Sequence, residues 1–190
     1  LLRGNLHRIN EHWPEAIADF DRVRRIDPNN ARAELGLGKT RLDQGMAGRA
    51  LAHLNHVVGL QPDNVRALVA RAKALRLSGD PLAAAADYTR AIDTFHSPDT
   101  PLPEYYLERA RAFEAAGTEY IDAAIRSLDA GIKQLGRLRV FEDYAIELER
   151  KRGNYTSALR RLDEILEQSA RKESLLGRRG DILLQSGQDA

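Results

Sequence analysis

Apolar positions along this chain recur with helical spacing, in blocks that stop at glycine or proline. In EAIADFDRVRRIDPNN (15–30), Ala16 and Phe20 stand four residues apart on one helical face, and the Asp-Pro turn that follows ends the helix. RALAHLNHVVGLQPDN (49–64) repeats that layout 34 residues later. Small residues fall at Gly4, Gly38, Ala72, Ala110 and Gly180, at intervals of 34, 34, 38 and 70, with Ile146 in the intervening slot. Turn glycines run Gly45, Gly79, Gly117, Gly153 and Gly187. Alanines run Ala16, Ala50, Ala84, Ala124 and Ala158, each followed four residues on by Phe20, Leu54, Tyr88, Leu128 or Leu162. Series that stay in phase over the whole chain define a repeat.

Each repeat reads as two helices. The first carries a small residue in mid-helix, where a neighbour must approach closely, and a glycine then breaks it. The second buries its alanine and the large residue one turn on, until DPNN or QPDN stops it. In GDPLAAAADYTRAI, Asp80 is placed to cap a helix and Pro81 to sit in its first turn. The pattern predicts an all-α chain of about eleven helices with no strand. The longest connection between repeats is expected at 94–104, where Pro98, Pro101 and Pro103 forbid a continuous helix.

The 34-residue stretch ARAELGLGKTRLDQGMAGRALAHLNHVVGLQPDN (31–64) resembles the tetratricopeptide repeat in its small, Gly, Ala, large-residue and Pro positions. The resemblance runs over nearly the whole chain. It implies a right-handed superhelix (an α-solenoid) of about five repeats plus a C-terminal capping helix. That is a single array over 1–190, with repeats at about 1–30, 31–64, 65–102, 103–138 and 139–172 and a partial one at 173–190. His96 replaces the third proline, GTEYIDAA lengthens the turn of the fourth repeat, and Ile146 stands where a small residue belongs. The missing first residues of the opening repeat and the lack of an initial Met read as an excised part of a longer chain.

Composition removes several function classes. A net charge of +1 gives the chain as a whole no reason to seek nucleic acid or anionic lipid. No apolar run of about 18 residues offers membrane insertion, and the first residues lack the pattern of a signal peptide. With no cysteine there is no disulfide, thiolate metal site or Cys nucleophile, a composition compatible with any compartment.

AELGLGKT (33–40) imitates a phosphate-binding loop, but it lies inside a predicted helix whose N–H groups are already bonded, so no nucleotide cofactor is expected. His53 and His56 could form half of a metal site; with no third ligand in the pattern they read as surface histidines, and no metal is expected. Asn154-Tyr155-Thr156 is a glycosylation sequon in a turn. No catalytic constellation can be assembled, and the chain reads as non-enzymatic.

Ionic pairing carries more information. Arg3 and Arg71 stand one residue before a small slot, and each has an Asp sixteen residues on, Asp19 and Asp87. An ion pair between the helices of one repeat follows. The second repeat places Leu37 against His53 and the fifth Ala145 against Arg161, so neither holds this pair, and in the fourth Arg109 falls near Ser127.

The resemblance further implies a concave groove, lined by the first helix of each repeat, that binds a peptide or partner helix. Register places Asn5, Arg8, Arg32, Leu35, Lys39, Arg66, Val69, Lys73, Arg76 and Arg111 there as the partner-binding set, with Leu42, Asp43, Leu77 and Glu104 among them. Glu114, Asp143, Glu147, Arg150 and Lys151 lie further along. The first three repeats are basic on this face, which points to a protein or peptide partner with acidic residues. Some family members clamp the C-terminal carboxylate of chaperone tails. Asn5 and Arg66 match that clamp in part, while Leu1, Gly36 and Ala70 do not, so that ligand is not expected. The alternative role is the recognition arm of a larger enzyme whose catalytic domain lies outside this chain; self-association is a third option.

Overall fold

The computed structural model describes residues 1–95 and 99–187. His96 and Pro98, named above, and the last residues of the partial repeat lie outside the described residues. Among the described residues every regular element is helical. The helices are α1 (Leu2–Ile9), α2 (Trp13–Ile26), α3 (Ala31–Asp43), α4 (Ala47–Leu60), α5 (Val65–Leu77), α6 (Pro81–Asp93), α7 (Pro103–Ala116), α8 (Ile121–Leu135), α9 (Arg139–Lys151), α10 (Tyr155–Gln168) and α11 (Glu173–Ser186), with a 3-10 turn at Thr118–Tyr120. The expected helix number is found among the described residues, while part of the connection expected at 94–104 lies outside them.

The chain forms two compact units, Leu1–Ala112 and Phe113–Ala190. In the first, each helix from α1 to α6 packs on the next, and α3 also touches α1 and α5, so these first helices share a face. In the second, α8, α9, α10 and α11 pack in sequence.

Helix starts follow from the turn residues. The last Asn of DPNN and of QPDN caps the next helix: Asn30 Oδ1 accepts from Ala33 N and Asn64 Oδ1 from Ala67 N, both at 3.1 Å. Asp80 caps α6 through Ala83 N at 3.2 Å, with Pro81 in the first turn as expected. Asn154 of the sequon caps α10 in the same way, accepting from Ser157 N at 3.2 Å.

The recurring positions form the core. Ala16, Phe20, Ala50, Leu54, Ala84, Tyr88, Ala124, Leu128, Ala158 and Leu162 are all buried. A Cβ on Gly38 would lie 2.7 Å from Leu54 Cγ, and one on Gly36 2.5 Å from Phe20 Cε1, which shows why the first helix needs small residues where the second presents a large one. Ile146 breaks that rule and is buried in its own cluster with Ala158, Leu162 and Leu166. Gly45 and Gly79 end their helices at φ +75 and +86. The first repeat has Glu11 in that slot, at φ +60, the one non-glycine in the left-handed region among the described residues.

Both predicted ion pairs are formed. Arg3 grips Asp19 with Nε at 2.7 Å and a second contact through Nη2. Arg71 grips Asp87 with Nε and Nη2 both at 2.6 Å and also reaches Asn55 at 3.3 Å. The second and fifth repeats hold a pair as well, in swapped form. Glu34 and Glu142 stand four residues before their small slots, and each meets a basic residue nineteen on: His53 Nδ1 lies 2.7 Å from Glu34, and Arg161 Nη1 3.4 Å from Glu142. Arg161 is buried and also meets the half-exposed Asp129 at 2.7 Å and the buried Glu149 at 3.9 Å. Arg109 instead stacks over the Tyr106 ring at 5.5 Å, and burial lowers its pKa.

The phosphate-loop look-alike is helix throughout, and the Thr40 hydroxyl donates to the Gly36 carbonyl at 2.8 Å. Among the described residues no group of three His, Asp or Glu side chains is placed to hold a metal ion.

Candidate partner-binding groove

The shared face of α1, α3 and α5 in the first unit encloses a groove of about 500 Å3, closed on one side by α7. Leu42, Val69, Ala70 and the edge of Tyr88 supply apolar surface, and Tyr105 adds an aromatic ring. Arg8 comes from α1, Lys39 from α3, and Arg66, Lys73 and Arg76 from α5. Lys39 and Lys73 hold the same repeat position, one residue past the small slot, so adjacent repeats bring them side by side along the groove.

These cations differ in how they are balanced. Arg8 pairs with Asp43, and Arg76 lies 3.6 Å from Glu108. Lys39, Arg66 and Lys73 have no carboxylate within ion-pair distance among the described residues. Lys39 is half-buried, and its pKa falls below the ordinary lysine value, first through burial and then through the like charges of Arg8 and Arg66. Glu104 completes the charged lining. Burial pushes the Tyr88 hydroxyl well above its ordinary range.

Of the partner-binding set, Arg8, Lys39, Arg66, Val69, Lys73 and Arg76 line this groove, and Asn5, Arg32, Leu35 and Arg111 do not. Asn5 and Arg32 are exposed outside it. Leu35 is half-buried against the Val57–Leu68 and Leu54–Ala74 clusters, and Arg111 pairs with Glu108 on its own helix. Glu108 itself lines the groove, although it is not among the residues named from the sequence. It fills the slot held by Gly36 and Ala70, two residues before the small position, so register could have found it. Tyr88 belongs to the core, yet its ring also reaches the groove from α6.

The matching face of the second unit is a shallower hollow of about 390 Å3 lined by Glu114, Glu147, Arg150, Lys151 and Gln185, with no apolar residue. Its charges satisfy one another. Lys151 lies 2.8 Å from Glu114, Arg150 3.1 Å from Glu147, and Arg178 2.7 Å from Glu147, while Arg150 donates to Gln185 at 2.9 Å.

Comparison with known proteins places part of the chain in a family and agrees on the fold. A sequence model described as "Tetratricopeptide repeat" matches residues 9–74. Residues 9–74 carry tetratricopeptide repeats. Folds of this type mediate protein–protein interaction. Solved structures agree on the fold. MamA is similar at 22% identity, with 90% of each chain covered and a TM-score of 0.75. YrrB, described as a tetratricopeptide repeat protein with an unusual peptide-binding site, is 18% identical over 93% of this chain and 88% of its own, at a TM-score of 0.71. A tetratricopeptide repeat protein from Parabacteroides merdae is 18% identical over 97% of this chain and 71% of its own, at a TM-score of 0.72. A search of curated proteins finds no significant match. The tetratricopeptide register thus accounts for the small slots, the turn glycines and the shared first-helix face on which the groove sits.

Proposed function

We propose that the first unit is a non-enzymatic interaction module whose groove holds an acidic segment of a protein partner. The observation that carries this reading is the placement of Lys39, Arg66 and Lys73, without carboxylate partners, beside the apolar Leu42 and Val69 in one groove. Apolar contacts supply most of the affinity in such an arrangement, and the charges steer encounter and set orientation. The likeness to YrrB, a repeat protein with a peptide-binding site, supports a peptide as the occupant.

The test is titration of an acidic peptide against the wild-type protein and the Lys73→Glu/Arg76→Glu variant at low salt, with circular dichroism as the folding control. Wild-type protein binds and the variant loses at least about tenfold in affinity, and association slows as salt rises. Unchanged binding in the variant would reduce the basic stripe to a solvated face.

A further inference from the structure

We infer that the groove of the first unit recognises a phosphorylated serine or threonine side chain on its peptide, held by Lys39, Arg66 and Lys73. This rests on the peptide-binding reading above and narrows it from any acid to a compact dianion.

The charge balance of the lining is the first argument. Arg8 and Asp43 neutralise each other, and Arg76 lies 3.6 Å from Glu108, which Arg111 also engages. Three cations, Lys39, Arg66 and Lys73, then stand against one carboxylate, Glu104, an excess of two positive charges. A phosphoryl group on Ser or Thr carries nearly two negative charges at neutral pH and offers three strong acceptor oxygens.

Placement is the second. The cations project from neighbouring helices into one hollow, and Lys39 is close enough to Arg8 and Arg66 to feel both as like charges. Two successive Asp or Glu residues of an extended peptide point to opposite sides and cannot both enter at that point. A phosphoryl group delivers both charges through one side chain, and a guanidinium such as that of Arg66 can meet it with two parallel N–H donors. An anion seated beside the half-buried Lys39 ammonium offsets the like charges of Arg8 and Arg66, which with burial lower its pKa against the pull of Asp43. Leu42 and Val69 flank the cations and accept an apolar residue next to the modified one.

The experiment uses capped pentapeptides of sequence Ala-Leu-X-Leu-Ala, with phosphoserine, glutamate or serine at X, read by calorimetry at low salt and about pH 7.5. The phosphoserine peptide is expected to bind at least about tenfold more tightly than the glutamate peptide, and the serine peptide more weakly than both. Lys39→Gln or Arg66→Gln should bring the phosphoserine peptide down to the glutamate level with unchanged circular dichroism, while Lys151→Gln in the second unit leaves it unaffected. No histidine lines the groove, so lowering the pH towards about 5.5, through the second phosphate ionisation near 6, weakens the phosphoserine peptide alone. Equal affinity for the phosphoserine and glutamate peptides overturns the dianion preference and leaves the acidic-peptide reading standing. Failure of both acidic peptides overturns the two together. Displacement of the phosphoserine peptide by an equal concentration of inorganic phosphate overturns the assignment to a peptide side chain, because the groove then takes the free anion as well.

Discussion

In the first unit Lys39, Arg66 and Lys73 face a groove containing Leu42 and Val69; in the second, Glu114, Glu147, Arg150 and Lys151 occupy the matching face and bind one another. Both faces come from the same repeat positions, since Glu147 holds the slot of Lys39 and Lys73. Changing that slot from lysine to glutamate supplies an internal partner for Arg150 and Arg178 and consumes the charge that a ligand would otherwise meet. The first face carries Arg8, Lys39, Arg66, Lys73 and Arg76, and the second Arg150 and Lys151. Unsatisfied charge beside apolar surface, not charge itself, separates a docking groove from a solvated face.

The contrast can be broken in several ways, and the largest expected effect is on stability alone. Arg161→Ala removes the cation that buried Glu142 and Glu149 share, leaving them Arg137 at 3.2 Å and Arg152 at 2.6 Å, and should cost roughly 3–4 kcal/mol in urea denaturation, while peptide affinity at the first unit stays unchanged. A loss of affinity in that variant would mean that the second unit takes part in binding. Asp87→Ala comes next, at about 3 kcal/mol, because Arg71 loses a carboxylate that is only 5% exposed. The exposed Arg3–Asp19 pair should matter less, and comparing Asp19→Ala with Asp87→Ala checks it. Binding variants follow. Lys73→Glu/Arg76→Glu should lose at least about tenfold for an acidic peptide, or about 1.4 kcal/mol, whereas Glu114→Lys/Glu147→Lys should change it less than about twofold. The smallest effect is a gain. Glu11→Gly removes a left-handed glutamate and should stabilise the protein by about 1 kcal/mol with no change in binding.

Much of this was legible in the sequence because the repeat samples each position several times. Helix ends, turn glycines, the buried Ala16/Phe20 series and the Arg71–Asp87 pair all follow from phase. The swapped pairs did not, for a geometric reason. Residues three apart on a helix share a face, so Glu34 can meet the same facing side chain as Leu37, and a search at one spacing misses it. In the groove, Glu108 escaped because its slot holds Gly36 and Ala70 in the preceding repeats, which carry no chemistry to draw attention. Leu35 stands apart from the groove for the opposite reason: its slot belongs to that face by register, but it packs against neighbouring apolar clusters. Neither the balance of Arg8 by Asp43 nor the freedom of Lys39 can be read without side-chain positions.

The alternation of ion pairs has a consequence for how the chain finds its own partners while folding. Near-identical repeats invite frame errors, in which a helix docks one repeat out of step and still buries alanine against leucine. Here such a slip is penalised. Setting α3 against α6 in place of α5 would press Asp87 onto Leu37, and setting α5 against α4 in the geometry of a single repeat would face Arg71 with His53. Each error strands a buried charge, so the pairs act as keys cut differently from one repeat to the next and select the correct frame among several that hydrophobic packing alone would accept.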